Sequence, residues 1–243
     1  MRVRKALGIF LLVLFLGAFA MGMVFVVYSG SVSRALSGDI PDFNSISSVS
    51  ELTEGGFVKG RADRLGDEFA CTESQKTGLL GEKSGAMLHY YVMPLENIDG
   101  FAVKYIALCI GNEEAVSSAE VMVKEFNDNW AYGVSPDEWT AMSINGKVSR
   151  LDEELYKQFY DVIAGGDEEA SPEDIEPYII PYVITYIDTE SISKKYDMGI
   201  VMIMTGLIGA AVDIMVLMRK KRDYDSEGDD EEFCEEEDNK DTE

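Results

Sequence analysis

The sequence predicts an α+β protein in which two transmembrane helices flank an antiparallel sheet, or a small partly open barrel, with two to three helices. Three observations lead there. Segments 6–28 and 198–218 are apolar over 23 and 21 residues. Short strand-like stretches separated by turn residues fill 56–190. Within that segment, two stretches repeat apolar residues at helical spacing. Of 243 residues, 46% are hydrophobic and 10% aromatic, enough for a packed core, which excludes wholesale disorder and collagen-like or disulfide-dense classes.

The chain opens with a basic stretch, 1–5, carrying Arg2, Arg4 and Lys5. The uncharged run from Ala6 to Tyr28 follows, a rod of roughly 34 Å as a helix and enough for a bilayer core. A cleaved secretory signal is the competing reading, because Ala18-Phe19-Ala20 is a small-x-small cleavage candidate. The run continues eight residues beyond Ala20, longer than an h-region of about 7–15 residues, which favours an uncleaved signal anchor. Residues 29–55, rich in Ser and Gly and without sustained periodicity, read as a linker.

The folded part is expected from Gly56. Phe57–Ala62 is a short strand and Glu68–Thr72 a weaker one. Ala86–Pro94 and Phe101–Ile110, apolar on both faces, form a central buried hairpin. Asn112 then caps a helix whose Glu113 and Glu114 meet its positive dipole end, with Val116, Ala119, Val123, Phe126 and Trp130 on one stripe. Asn145-Gly146, between 142–144 and 147–149, fits a type I′ turn and predicts another hairpin. Asp152–Ile163 is a second helix with Leu155, Phe159 and Val162 inward. Ser171-Pro172 opens a short third. Tyr178–Ile187 is a last strand whose Pro181 predicts an edge or a bulge.

After a short linker, 191–197, the second span runs from Met198 to Met218 and meets Arg219-Lys220-Lys221-Arg222, a stop-transfer pattern. Basic clusters beside both spans put both termini in the cytoplasm, making a two-pass hairpin with 29–197 outside. Small residues that permit close helix contact are Ala18 and Gly22 in the first span, and Gly206 with Ala210 or Thr205 with Gly209 in the second. They would join the two spans, or drive a homo-oligomer through them. Asp213 is a costly acid within a span, expected to pair with Arg219–Arg222, the sharper alternative being proton or ion handling.

Charge divides along the same lines. The whole chain is at -24, which disfavours nucleic acid as a partner. The tail after Arg222 holds thirteen acids against one Lys, and is expected to be a solvated, disordered strip. The segment 29–197 has 31 acids and 13 bases, an acidic surface that stays off anionic headgroups. No N-x-[ST] sequon is present, which favours a bacterial origin.

Signals of chemistry are few. Of three cysteines, Cys71 and Cys109 share the outer segment and are the plausible disulfide pair, with a free buried Cys109 as the alternative. His89 is the single histidine and reads as a strand residue, so no metal site, cofactor or catalytic residue is expected. Lys83-Ser84 is only an adjacency. The acids Asp167-Glu168-Glu169 and Glu173-Asp174-Glu176 lack the spacing of a calcium loop. The layout, with its Gly56-Phe57-Val58-Lys59-Gly60 and Leu88–Pro94 strands between two spans, a basic stop and an acidic tail, resembles uncharacterised two-pass membrane proteins of anaerobic Gram-positive bacteria. That resemblance implies a domain of unknown function and brings no catalytic residues. The expected function is a non-enzymatic envelope protein that binds, senses or scaffolds through its outer domain, with unknown protein partners and the lipid bilayer around its spans. The alternative is an accessory subunit of an envelope enzyme or transporter, using Asp213 or the outer carboxylates.

Overall fold

The computed structural model describes residues 2–73, 85, 87–132, 140–165 and 171–231, of which 2–6, 129–132, 217 and 220–231 by backbone alone. The chain divides into two compact units, Ser33–Thr189 and the pair Met1–Val32 with Glu190–Glu243.

The first unit is built on an open six-stranded sheet. Its strands are β1 (Phe57–Ala62), β2 (Glu68–Glu73), β3 (Met87–Ile98), β4 (Phe101–Ile110), β5 (Met142–Arg150) and β6 (Ile179–Tyr186), in the order β1-β5-β6-β4-β3-β2. Every neighbouring pair is antiparallel except β4 and β6, which run parallel. The sheet is therefore open, with β1 and β2 at its edges, and mixed rather than antiparallel throughout. The parallel pair requires a crossover, and the chain between β4 and β6 supplies it.

Both faces of β3 and β4 are covered, as their continuous apolar runs require. One face packs with Ala115, Ala119 and Met122 of α2 (Glu113–Tyr132) and with Phe43, Ile46 and Leu52. The other packs with Phe159 of α3 (Glu153–Ile163), and with Leu155, Tyr156 and Tyr160 beside it. Asp152 caps α3 by accepting from the Leu155 N–H at 2.8 Å. Ser171 caps the short α4 (Pro172–Ile175). Strands β1 and β5 bury Val58, Ala62, Ile144 and Val148 on one side and leave Lys59, Arg61, Ser143 and Lys147 exposed on the other.

Several expectations need correction. Asn145-Gly146 is not a turn: β5 runs straight through it, with Gly146 opposite Val58 on one side and Tyr186 on the other, and neither residue has a positive φ. The glycine is there for clearance, since a Cβ would lie 2.3 Å from Ile184 Cγ2. The two-residue turn of the primed kind is Asp99-Gly100, with φ of 50 and 80 between the paired Ile98 and Phe101. Strand β6 lies inside the sheet rather than at an edge, and Pro181 falls where its register with β4 slips, the bulge alternative. The stretch 29–55 is no linker. Helix α1 runs on to Ser37, and Phe43 pairs its backbone N–H with the Lys59 carbonyl at 2.9 Å while its ring fills the space over Gly60. A turn of 3-10 helix at Val49–Glu51, capped reciprocally by Ser48 and Glu51, then carries Leu52 into the core.

The second unit is made of two long helices, α1 (Arg2–Ser37) as far as Val32 and α5 (Thr189–Glu231) from Glu190. Both are long and apolar enough to cross a membrane. The helix α5 absorbs the expected linker 191–197. It also continues past the basic stop to Glu231, into the segment expected to be disordered; residues 232–243 with Cys234 lie outside the described residues. Between residues 8 and 29 of α1 the shielded positions recur at 8, 12, 15, 19, 22, 26 and 29, with 18 and 25 half-buried beside them, and between 199 and 213 of α5 at 199, 203, 206, 210 and 213, with 202 and 209 beside them. This alternation of four and three is the spacing of helices packed along a left-handed seam. The remaining faces expose Ile9, Phe10, Val13, Leu16, Val24, Val201, Leu207 and Ile208.

Candidate functional site

The chemistry-bearing groups converge at the β2 edge of the sheet. Strand β2 pairs Glu68 with Tyr91 and Cys71 with His89, yet Ala70 pairs with Tyr90, so one extra residue is inserted between Glu68 and Ala70. Without that bulge, residues three apart on a strand would point to opposite faces. With it, Phe69 and Ala70 both pack into the α3-side core, the Phe69 ring 4.9 Å from that of Phe159. Glu68 and Cys71 are thereby turned to the α2 side, where β3 presents His89 and Tyr91.

One atom each from Glu68, Cys71 and His89 lies within 4.8 Å of the others, and His89 Nδ1 is 3.0 Å from Glu68 Oε1. The imidazole and the carboxylate are partly exposed, at 24% and 35%. Burial first, and then the Glu68 carboxylate, push the Cys71 thiol up from its ordinary value. Beside this cluster is a cleft of about 360 Å³ lined by Glu68, Tyr91 and residues of α2 that include Glu120, Lys124 and Asp128. Tyr91 is 1% exposed, and among the described residues its hydroxyl has no hydrogen-bond partner. Burial, followed by the charges of Glu68, Glu120 and Cys71, raises its pKa. At the rim, Asn127 Nδ2 donates to Asp67 Oδ1 at 2.8 Å.

The residues singled out from sequence are placed differently. Cys71 and Cys109 are both free. They sit on β2 and β4 with β3 between, roughly 9.5 Å apart at ladder spacing and beyond the ~7 Å that a disulfide spans. Cys109 also belongs to the α3-side core, the opposite face from Cys71. In the helical unit Gly22 lies against Gly199 and Ile203, where a Cβ would come 2.7 Å from the Gly199 carbonyl oxygen. Gly206 lies against Phe15 and Phe19, and Gly209 against the Phe15 ring. Ala18 and Ala210 are half-buried, and Ala210 falls on the shared seam. Asp213 is on that seam too. Among the described residues its Oδ2 is buried without a hydrogen-bond partner and it makes no ion pair with Arg219; the side chains of 220–222 lie outside the described residues. Lys83-Ser84, Asp167-Glu168-Glu169 and the Trp130 side chain lie outside the described residues.

Sequence reasoning missed the Glu68–Cys71–His89 cluster because each member had another reading and the bulge leaves no mark in composition. The usable signal was pairing: a His on a strand next to one bearing Cys and Glu three residues apart.

The chain thus has the class of a mixed α+β protein with two helices apolar and long enough to span a membrane. It belongs to the family of the domain of unknown function DUF8577, which matches residues 3–219. No curated protein matches it significantly.

Proposed function

We propose that this is a two-pass envelope protein of bacterial type, with both termini cytoplasmic, whose folded unit acts outside the membrane as a binding or sensing module rather than as an enzyme. The observation that carries the reading is the pair of long helices whose apolar side chains face outward, leaving only a narrow seam shielded. A surface of that extent is a liability in water and the ordinary surface of a helix in lipid. Arg2, Arg4 and Lys5 before the first span and Arg219–Arg222 after the second, both on the cytoplasmic side, orient it. Its partners are the bilayer and a protein not yet identified, and its acidic surface turns nucleic acid away. A homo-oligomer would need another helix face, because Gly22 and Gly206 are engaged within the chain.

A cytoplasm-only fluorescent reporter tests this. Fused after residue 243 it should light the cells, and fused after residue 189 of a truncated chain it should stay dark; the reverse pattern overturns the topology.

The Asp213 Oδ2, buried and without a partner among the described residues, favours a second reading, an accessory subunit for ion or proton movement. Asp213→Asn should leave abundance and phenotype unchanged under the first reading. Loss of phenotype at normal abundance would select the second.

A further inference from the structure

We infer that Glu68, Cys71 and His89 form a binding site for a divalent transition cation of the zinc class, with one coordination position left open toward the cleft under α2. The donor set is one thiol, one imidazole and one carboxylate, with the three ligand atoms within 4.8 Å of one another. Sulfur and nitrogen donors select zinc-like ions over calcium or magnesium, which take oxygen alone. In a tetrahedral zinc site with bonds of about 2.0–2.3 Å, neighbouring ligand atoms stand roughly 3.3–3.8 Å apart. The longest ligand separation, at most 4.8 Å, has to shorten by up to about 1–1.5 Å, while the 3.0 Å His89 Nδ1–Glu68 Oε1 pair opens slightly, adjustments that rotation of the partly exposed Glu68 side chain and of the Cys71 side chain allows. The backbone half of the site is already fixed by the β2 bulge.

A second observation points the same way. The Tyr91 hydroxyl is buried and has no partner among the described residues, and Tyr91 lines the cleft alongside Glu68. Buried hydroxyls are ordinarily satisfied, so this one fits a water or ligand group held in the cleft. Glu120 and Asp128 make the cleft attractive to cations, against the single Lys124. On binding, Cys71 gives its proton to solvent and coordinates as thiolate, while His89 coordinates through Nδ1 with its proton on Nε2. Three protein ligands leave the fourth position to water or to an added anion, the arrangement of an open site rather than a closed structural one. This names a ligand for the binding module proposed above, but metal uptake is a property of the folded unit and does not depend on which side of the membrane it occupies.

The test uses the whole chain in detergent micelles, in a Cys234→Ser background, with Co²⁺ as the probe and Zn²⁺ as competitor. One Co²⁺ per chain should give thiolate-to-cobalt charge-transfer absorption, which Zn²⁺ removes. Zn²⁺ should also slow maleimide modification of Cys71 at least about tenfold. Cys71→Ser should abolish the absorption, Glu68→Gln and His89→Ala should each weaken cobalt binding about tenfold or more, and Cys109→Ser should leave it intact. Each variant is scored only while it stays folded; in the variants that keep Cys109, that is read from its protection from maleimide, and in Cys109→Ser from an unchanged far-ultraviolet spectrum. Absent absorption in the folded parent chain, or absorption surviving in folded Cys71→Ser, would reduce the cluster to a His–Glu ion pair beside a thiol and overturn the site. Neither result touches the reporter-fusion test of topology.

Discussion

Phe159→Ala probes the two-faced architecture most severely. Phe159 is fully buried in the α3-side core, with its ring 4.9 Å from that of Phe69. Truncating such a residue loses both transfer energy and packing around the cavity, about 3–5 kcal/mol. Cys109, 2% exposed in the same core, is a built-in reporter: in a chain whose other cysteines are Ser, its thiol reacts only when the domain opens. At about 1.4 kcal/mol per factor of ten, Cys109 labelling should accelerate between about a hundredfold and a few thousandfold. Met122→Ala, in the core on the opposite face, should cost about 2–5 kcal/mol. Combined with Phe159→Ala it should be additive within about 0.5 kcal/mol, because the two sites share no core cluster. Acceleration below fivefold for Phe159→Ala would mean α3 does not seal that face, and strong coupling between the two variants would mean that the sheet does not separate two cores.

Gly146→Val should destabilise the domain by about 1–3 kcal/mol in urea, because its side chain would enter the space of Ile184 Cγ2; unchanged stability would revive the turn reading of Asn145-Gly146. Burial pushes the Cys109 thiol up from 9.0 to about 11. An acid whose folded pKa is raised stabilises the fold fully below its unfolded value, and that contribution is lost as pH rises from about 9 through 11. Cys109→Val should therefore flatten the alkaline decline of stability by a difference approaching about 2–3 kcal/mol above pH 11, and an unaltered pH profile would place Cys109 in water. Gly206→Leu should force α5 away from Phe15 and Phe19 at a cost of about 1–2 kcal/mol, read as a longer distance between spin labels on the outward-facing Leu14 and Leu207; an unchanged distance would contradict the seam.

Much of the fold was legible because local signals and tertiary packing agree in it. Phe57–Ala62 and Phe101–Ile110 match their strands to the residue, and Asn112, Asp152 and Ser171 mark where helices begin. The errors arose where a residue serves two physical purposes. Glycine next to asparagine marks a turn that needs positive φ, but Gly146 is a glycine for want of room between strands. Polar residues at 29–55 looked like a linker, although three apolar side chains, Phe43, Ile46 and Leu52, suffice to dock that segment on the sheet. The candidate site was illegible for a related reason. Its geometry depends on one inserted residue in β2, which shifts Cys71 to the face of His89 and away from that of Cys109.

The most direct test of the membrane arrangement uses the three cysteines one at a time in intact cells, labelled with a membrane-impermeant maleimide. In cells first washed with a chelator, so that no bound metal shields it, Cys71, exposed on β2, should react at once, Cys109 only after unfolding, and Cys234 only after the membrane is opened. Reaction of Cys234 in intact cells, with Cys71 protected until the membrane is breached, would invert the topology and put the domain 33–189 in the cytoplasm.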